Sequence, residues 1–134
     1  MMSKQKQLFS TDFEMHASMK LLFPYLSTPS GLSEWFCTDV TISPEKVLTF
    51  RWETETRKAV VAANRPVQFV KFEFLGADGK PTGDPDYLEL RMETDDLTQL
   101  TYLRIVEYSD FEDQEELQAL WEDSVEKLKK VVGG

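Results

Sequence analysis

One histidine, one cysteine and a short run of acids are the side chains of this sequence that most readily invite a chemical role. His16 is the only histidine, so a Ser/His/Asp or Cys/His nucleophilic system must use it, and a site with several histidine ligands is excluded. Alternation along its segment places it with Asp12 and Glu14, on the solvent side of a strand, where a structural role is expected. Cys37 follows the apolar pair Trp35-Phe36. With no Lys, Arg or His beside it to lower its pKa, it reads as a small buried hydrophobe. The acids Asp110, Glu112, Asp113, Glu115 and Glu116 lack the glycine and terminal glutamate of a calcium loop, and they suit a helix start instead. Asp95-Asp96 reads as a turn pair. The stretch from Gly76 to Gly83 lacks the Lys-Ser/Thr ending and the following helix of a phosphate loop. No catalytic residue, metal ligand set or cofactor is assigned.

The aromatic residues offer a different chemistry. Phe50, Trp52, Phe72, Phe74 and Trp121 fall on positions that turn inward by strand or helix spacing. Such residues either line an apolar ligand cavity or fill a solid core, and spacing alone leaves both open. Arg51 and Arg104, if one turns inward, are natural partners for a ligand carboxylate. Ser124 interrupts the apolar stripe of its helix at a core-facing angle. It either lets the sheet approach closely or hydrogen-bonds a ligand. An enzymatic reading needs polar groups converging inside such a cavity, for instance Tyr102 or Tyr108 with an inward arginine or carboxylate.

These residues must be positioned by the elements the periodicity predicts. Residues 5–16 alternate as a half-buried strand. Ser18 caps a short helix through Met19, Leu22, Phe23 and Leu26, with a kink or early end expected at Pro24. Pro29 opens a second short helix that ends near Trp35-Phe36. Strands then follow over 38–43, Val47–Trp52, Arg57–Ala63, Val67–Leu75, 86–94 and 99–108. Inward positions include Val70, Phe72 and Phe74, then Leu88, Leu90 and Met92, then Thr101, Leu103 and Ile105. Short sequential connections imply an antiparallel meander with one buried face and one wet face. The last element is an amphipathic helix with Leu117, Leu120, Trp121, Val125, Leu128 and Val132 on its stripe. Acids crowd its start, Lys127, Lys129 and Lys130 its end, and Gly133-Gly134 stops it. The expectation is one α+β domain over residues 1–134, a curved antiparallel sheet of about seven strands closed by a long C-terminal helix.

Bulk properties narrow the partners. Acids outnumber bases 24 to 15, a formal charge of −9, so nucleic acid and anionic lipid surfaces are not expected partners. A single cysteine permits no internal disulfide and suits a reducing compartment. Met1 to Gln7 leads into no apolar run, so no signal peptide is expected. The longest apolar run, Ala59 to Ala63, is far short of the roughly 20 residues a membrane helix needs. A cytoplasmic protein without an integral membrane segment is the expectation.

The stretch Ser27-Thr28-Pro29-Ser30-Gly31-Leu32-Ser33-Glu34-Trp35-Phe36 resembles the helix pair of the START-like (SRPBCC) superfamily. Phe50-Arg51-Trp52 before an alanine-bearing strand, and the final helix with Trp121, extend the similarity over nearly the whole chain. The sequence is most similar to the bacterial branch related to activators of the heat-shock chaperone ATPase. The resemblance implies a helix-grip fold, often with an apolar cavity between sheet and last helix. It also implies one of several roles: binding lipids or other hydrophobic molecules, cyclising polyketides, or docking on a chaperone. The eukaryotic chaperone activators carry an additional N-terminal domain that this sequence does not contain, which sets chaperone activation behind small-molecule binding. The expected function is non-catalytic binding of a hydrophobic or amphipathic small molecule or lipid by Phe50, Trp52, Phe72, Phe74, Leu90, Trp121 and Ser124. A protein-interaction or chaperone-associated module is the alternative, and a cyclase- or hydrolase-like enzyme stands third. Free sheet edges also allow a homodimer, opposed by charge on the outer strand faces.

Overall fold

The computed structural model describes residues 5–133. Part of the leader reading at Met1–Gln7, and Gly134 of the helix stop, lie outside the described residues. Among the described residues seven strands form one sheet: β1 (Gln7–Met15), β2 (Asp39–Ile42), β3 (Leu48–Arg51), β4 (Thr56–Arg65), β5 (Phe69–Phe74), β6 (Tyr87–Thr94) and β7 (Thr101–Ser109). Their spatial order is β1-β7-β6-β5-β4-β3-β2, and every neighbouring pair is antiparallel. β2 to β7 form the expected meander, and β1 pairs with β7 along its whole length. Helices α1 (Met19–Ser27) and α2 (Pro29–Leu32) join β1 to β2, and α3 (Gln114–Val132) follows β7. The chain is thus an α+β fold with a curved sheet and a long C-terminal helix.

The period of two decides which face of the sheet is dry. On β5 Val70, Phe72 and Phe74 are buried, and on β6 Leu88, Leu90 and Met92. Thr101, Leu103 and Ile105 continue the same face on β7. Trp121, Val125 and Leu128 of α3 join these residues in one core. At roughly 25 cal/mol per Å² of apolar area buried, this contact is the main force holding α3 to the sheet. On the wet face Arg104 forms a bidentate pair with Asp12 at 2.8 and 3.3 Å. His16 is exposed there, 4.0 Å from Glu14.

Three local expectations need correction. Pro24 does not end α1, which runs on to Ser27. Pro24 and Lys20 are both exposed, so water can satisfy the carbonyl that the proline leaves without a donor. The Pro24 carbonyl itself accepts from the Thr28 amide (3.1 Å) and hydroxyl (2.7 Å), and that pair closes the helix. Val67, expected to begin a strand, instead occupies the β4–β5 turn at φ 63°, a region that β-branched residues rarely visit. The helix α2 is also shorter than expected, and residues 33–36 are turns.

The start of α3 follows the sequence closely. Asp113 is its N-cap, and one carboxylate oxygen accepts from the Glu115 and Glu116 amides at 2.9 and 3.2 Å. Removing that acceptor by Asp113→Ala is expected to cost about 1 kcal/mol in a urea unfolding titration. A change within error would show that the cap does not limit stability. At the far end Gly133 adopts φ 86° and closes the helix in the left-handed conformation that glycine tolerates.

Candidate functional site: an aromatic-walled cavity under the C-terminal helix

A cavity of about 770 Å³ opens where α3 leaves the sheet. Four segments and Phe74 of β5 wall it: the turn after α2 (34–38), the β3–β4 hairpin (52–57), adjoining ends of β6 and β7 (86–88 and 107–109), and one side of α3 from Leu117 to Lys127. Its size falls within the roughly 300–1,000 Å³ of small-molecule sites.

The apolar wall is a continuous aromatic cluster. Phe36 stacks on Trp121 with ring centroids 5.6 Å apart and planes 9° from parallel. It meets Trp52 edge-on at 5.3 Å. Trp35 approaches Trp121 at 6.4 Å. Each indole N–H has an acceptor: Trp35 donates to the Tyr25 carbonyl (2.8 Å), Trp52 to the Phe36 carbonyl (2.9 Å) and Trp121 to the Glu107 carboxylate (2.9 Å). The rings are therefore held in place by their polar ends while their faces remain apolar.

The sequence-predicted residues divide cleanly. Trp52, Phe74, Trp121 and Ser124 stand on the cavity wall. Phe50, Phe72 and Leu90 are completely buried behind it, in the core. Phe50 backs the wall through edge contacts with Phe36 at 5.6 Å and Phe72 at 5.5 Å. Leu120, expected on the core stripe of α3, is 58% exposed, because the helix overhangs the cavity there instead of the sheet.

The inward arginine is neither of the two expected. Arg51 is exposed at the end of β3, and Arg104 faces outward against Asp12. Arg57 takes that place, because the strand period sets it on the same side as buried Ala59. Its guanidinium lies 4.1 Å from the centre of the Phe74 ring and 3.1 Å from the Asp86 carboxylate. This pair separates the cavity from a neighbouring depression of about 590 Å³ beside the Gly76–Gly79 turn. An inward carboxylate, Glu107, also went unassigned. Besides the Trp121 indole it accepts the Ser109 hydroxyl at 2.7 Å. Alternation with Leu103 and Ile105 on β7 was the signal that could have found it. Tyr108 borders the cavity, whereas Tyr102 does not; the Tyr108 hydroxyl lies 3.1 Å from both Asp84 carboxylate oxygens.

Cys37 is half-buried on the wall, its thiol 3.5 Å from the Asp39 carbonyl. Burial pushes the thiol up from its ordinary 9.0 to about 11, against hydrogen bonding to the Asp39 and Arg51 backbone, which pulls it down. An acid whose folded pKa is raised contributes stability that is present below pH 9.0 and lost as pH rises through about 11. Alkylation by iodoacetamide is expected to stay slow at pH 8 and to accelerate only towards pH 11. An inflection below pH 9 would contradict that environment.

Comparison with known proteins agrees with this architecture. No curated protein sequence matches the chain. Among solved structures it is similar to the Aha1 dimer from Colwellia psychrerythraea, with a TM-score of 0.72 at 16% identity over 94% of this chain and 96% of that one. It is similar to a Mesorhizobium loti protein with a TM-score of 0.74 at 16% identity over 95% and 97%. A Bacteroides fragilis protein solved by NMR has 32% identity over 94% and 90%, with a TM-score of 0.61. The START-like superfamily domain matches residues 1–134 in full. With the sheet order, the helix pair and the overhanging C-terminal helix in agreement with that match, this chain belongs to the START-like superfamily.

Proposed function

We propose that the chain binds a hydrophobic or amphipathic small molecule, without catalysis, in the cavity between the sheet and α3. The observation that carries this reading is the 770 Å³ space walled by Phe36, Trp52, Phe74 and Trp121, with the two indole N–H groups already bonded to the Phe36 carbonyl and the Glu107 carboxylate. Burial of apolar ligand surface at roughly 25 cal/mol per Å² supplies the affinity. Ser124, half-buried on the α3 side, is placed to orient the ligand or to keep the wall clear.

Filling the space tests the reading. Nile red, a neutral apolar dye, is expected to bind the wild-type chain with enhanced fluorescence. Ser124→Phe is expected to weaken it about tenfold while changing stability by less than about 1 kcal/mol. Unchanged dye affinity in a folded Ser124→Phe protein would place the dye elsewhere and sink the proposal.

A homodimer is a second proposal. β1 is a nine-residue edge strand with Leu8 exposed, and the similar Colwellia psychrerythraea protein is a dimer. Sedimentation velocity decides it: a single species at monomer mass across micromolar concentrations excludes the dimer.

A further inference from the structure

We propose that the ligand of this cavity is a cationic amphiphile, with an amine head group beside the Glu107 carboxylate and an apolar body against Phe36, Trp52 and Trp121. This rests on the binding reading above and adds the charge of the ligand to it.

The wall carries five carboxylates (Glu34, Glu53, Glu55, Asp86 and Glu107) against two cations, Arg57 and Lys127. Arg57 is already committed, stacked on Phe74 and paired with Asp86 at 3.1 Å and Glu55 at 3.8 Å. Asp86 is further neutralised by Lys6 at 2.9 Å. Glu107 differs from these acids. It is half-buried, it sits against the aromatic wall, and no cation pairs with it among the described residues.

Its two oxygens each accept one hydrogen bond, from Trp121 and Ser109, which fixes the group in place. A carboxylate offers about four lone-pair sites, so an ammonium group still finds acceptors there. Charge–charge attraction at a half-buried site is less screened than at the surface. Lys127 is the competing anchor, for an anionic head group. It is exposed on α3, where solvent and salt screen it, and three excess negative charges on the wall oppose an anion. The chain as a whole, at −9, opposes it too.

The test is isothermal titration of the full chain with decylamine, decanol and decanoate at neutral pH and low salt. The three share one apolar body and differ in head-group charge. Decylamine is expected to bind about tenfold tighter than decanol, with decanoate weakest. Glu107→Gln keeps an acceptor oxygen for the Trp121 indole, and its amide N–H can donate to the Ser109 hydroxyl. It is expected to remove most of the amine advantage while changing decanol affinity far less. Equal affinity for decylamine and decanol, or tightest binding of decanoate, overturns the head-group proposal and leaves the cavity reading standing. An amine preference that survives in Glu107→Gln overturns the placement at Glu107. Failure of all three probes to bind overturns this proposal and the cavity reading together. If Glu107→Gln does not fold, the wild-type ranking decides the head-group charge. Glu34→Gln with Glu53→Gln, both at the exposed mouth, should then still narrow the amine preference severalfold.

Discussion

Gly31→Ala is expected to cost about 3 kcal/mol or more, although it adds a single methyl group. A Cβ at this position would lie 2.1 Å from the Pro24 carbonyl oxygen, 2.6 Å from the Tyr25 Cα and 2.8 Å from the Pro24 carbonyl carbon. All three atoms are backbone, so no rotamer change relieves the clash, and α2 must separate from α1. That separation also strains the bond from the Trp35 indole to the Tyr25 carbonyl, and with it the cavity wall. Native domains are stable by only about 5–15 kcal/mol, so the loss should be plain in a urea titration. Gly83→Ala is the control: nothing lies within 4 Å of its added Cβ, and a change under about 0.5 kcal/mol is expected. Equal effects at the two glycines would contradict the close approach of α1 and α2.

Phe50→Ala should cost about 3–5 kcal/mol. The ring is 0% exposed and meets Phe36, Phe72, Trp52 and Phe74 at centroid distances between 5.5 and 6.1 Å. Truncation removes the support behind the cavity wall and leaves a void in a region of closely packed rings. The urea midpoint should fall with little change in slope, because the exposed area on unfolding is nearly the same. Trp52→Leu separates support from contact. Trp52 stands on the wall itself, so its replacement should reduce dye affinity more than stability. A Phe50→Ala protein of wild-type stability would show that the core does not depend on this ring.

The elements were legible where one face is dry and the other wet. On β5 and β6 strict alternation located every inward residue, and on β7 it located Thr101, Leu103 and Ile105. On α3 the acidic start, the terminal glycine and the stripe agreed, except at Leu120. Val67 was misread because its residue type favours a strand, while the hairpin geometry of Arg65 and Phe69 demands a turn there. The cavity was harder to read. Phe50 and Trp52 share a face by spacing, yet Phe50 is enclosed and Trp52 borders the space, since depth depends on what α3 and the 34–38 turn cover. Trp35 and Phe36 join the wall through tertiary placement of a turn, and no periodicity encodes that. Arg57 and Glu107 were open to the period-of-two argument. They escaped because charged residues at inward positions run against the usual burial pattern, which is how they come to mark the cavity's edge.

The central claim is that the space under α3 holds a small molecule, and native mass spectrometry of the protein purified from its own source tests it most directly. The predicted result is a stoichiometric adduct that survives gentle ionisation, is released on denaturing extraction, and proves to be an apolar or amphipathic compound. An empty chain that also shows no thermal shift across a panel of lipids and hydrophobic metabolites would contradict the claim.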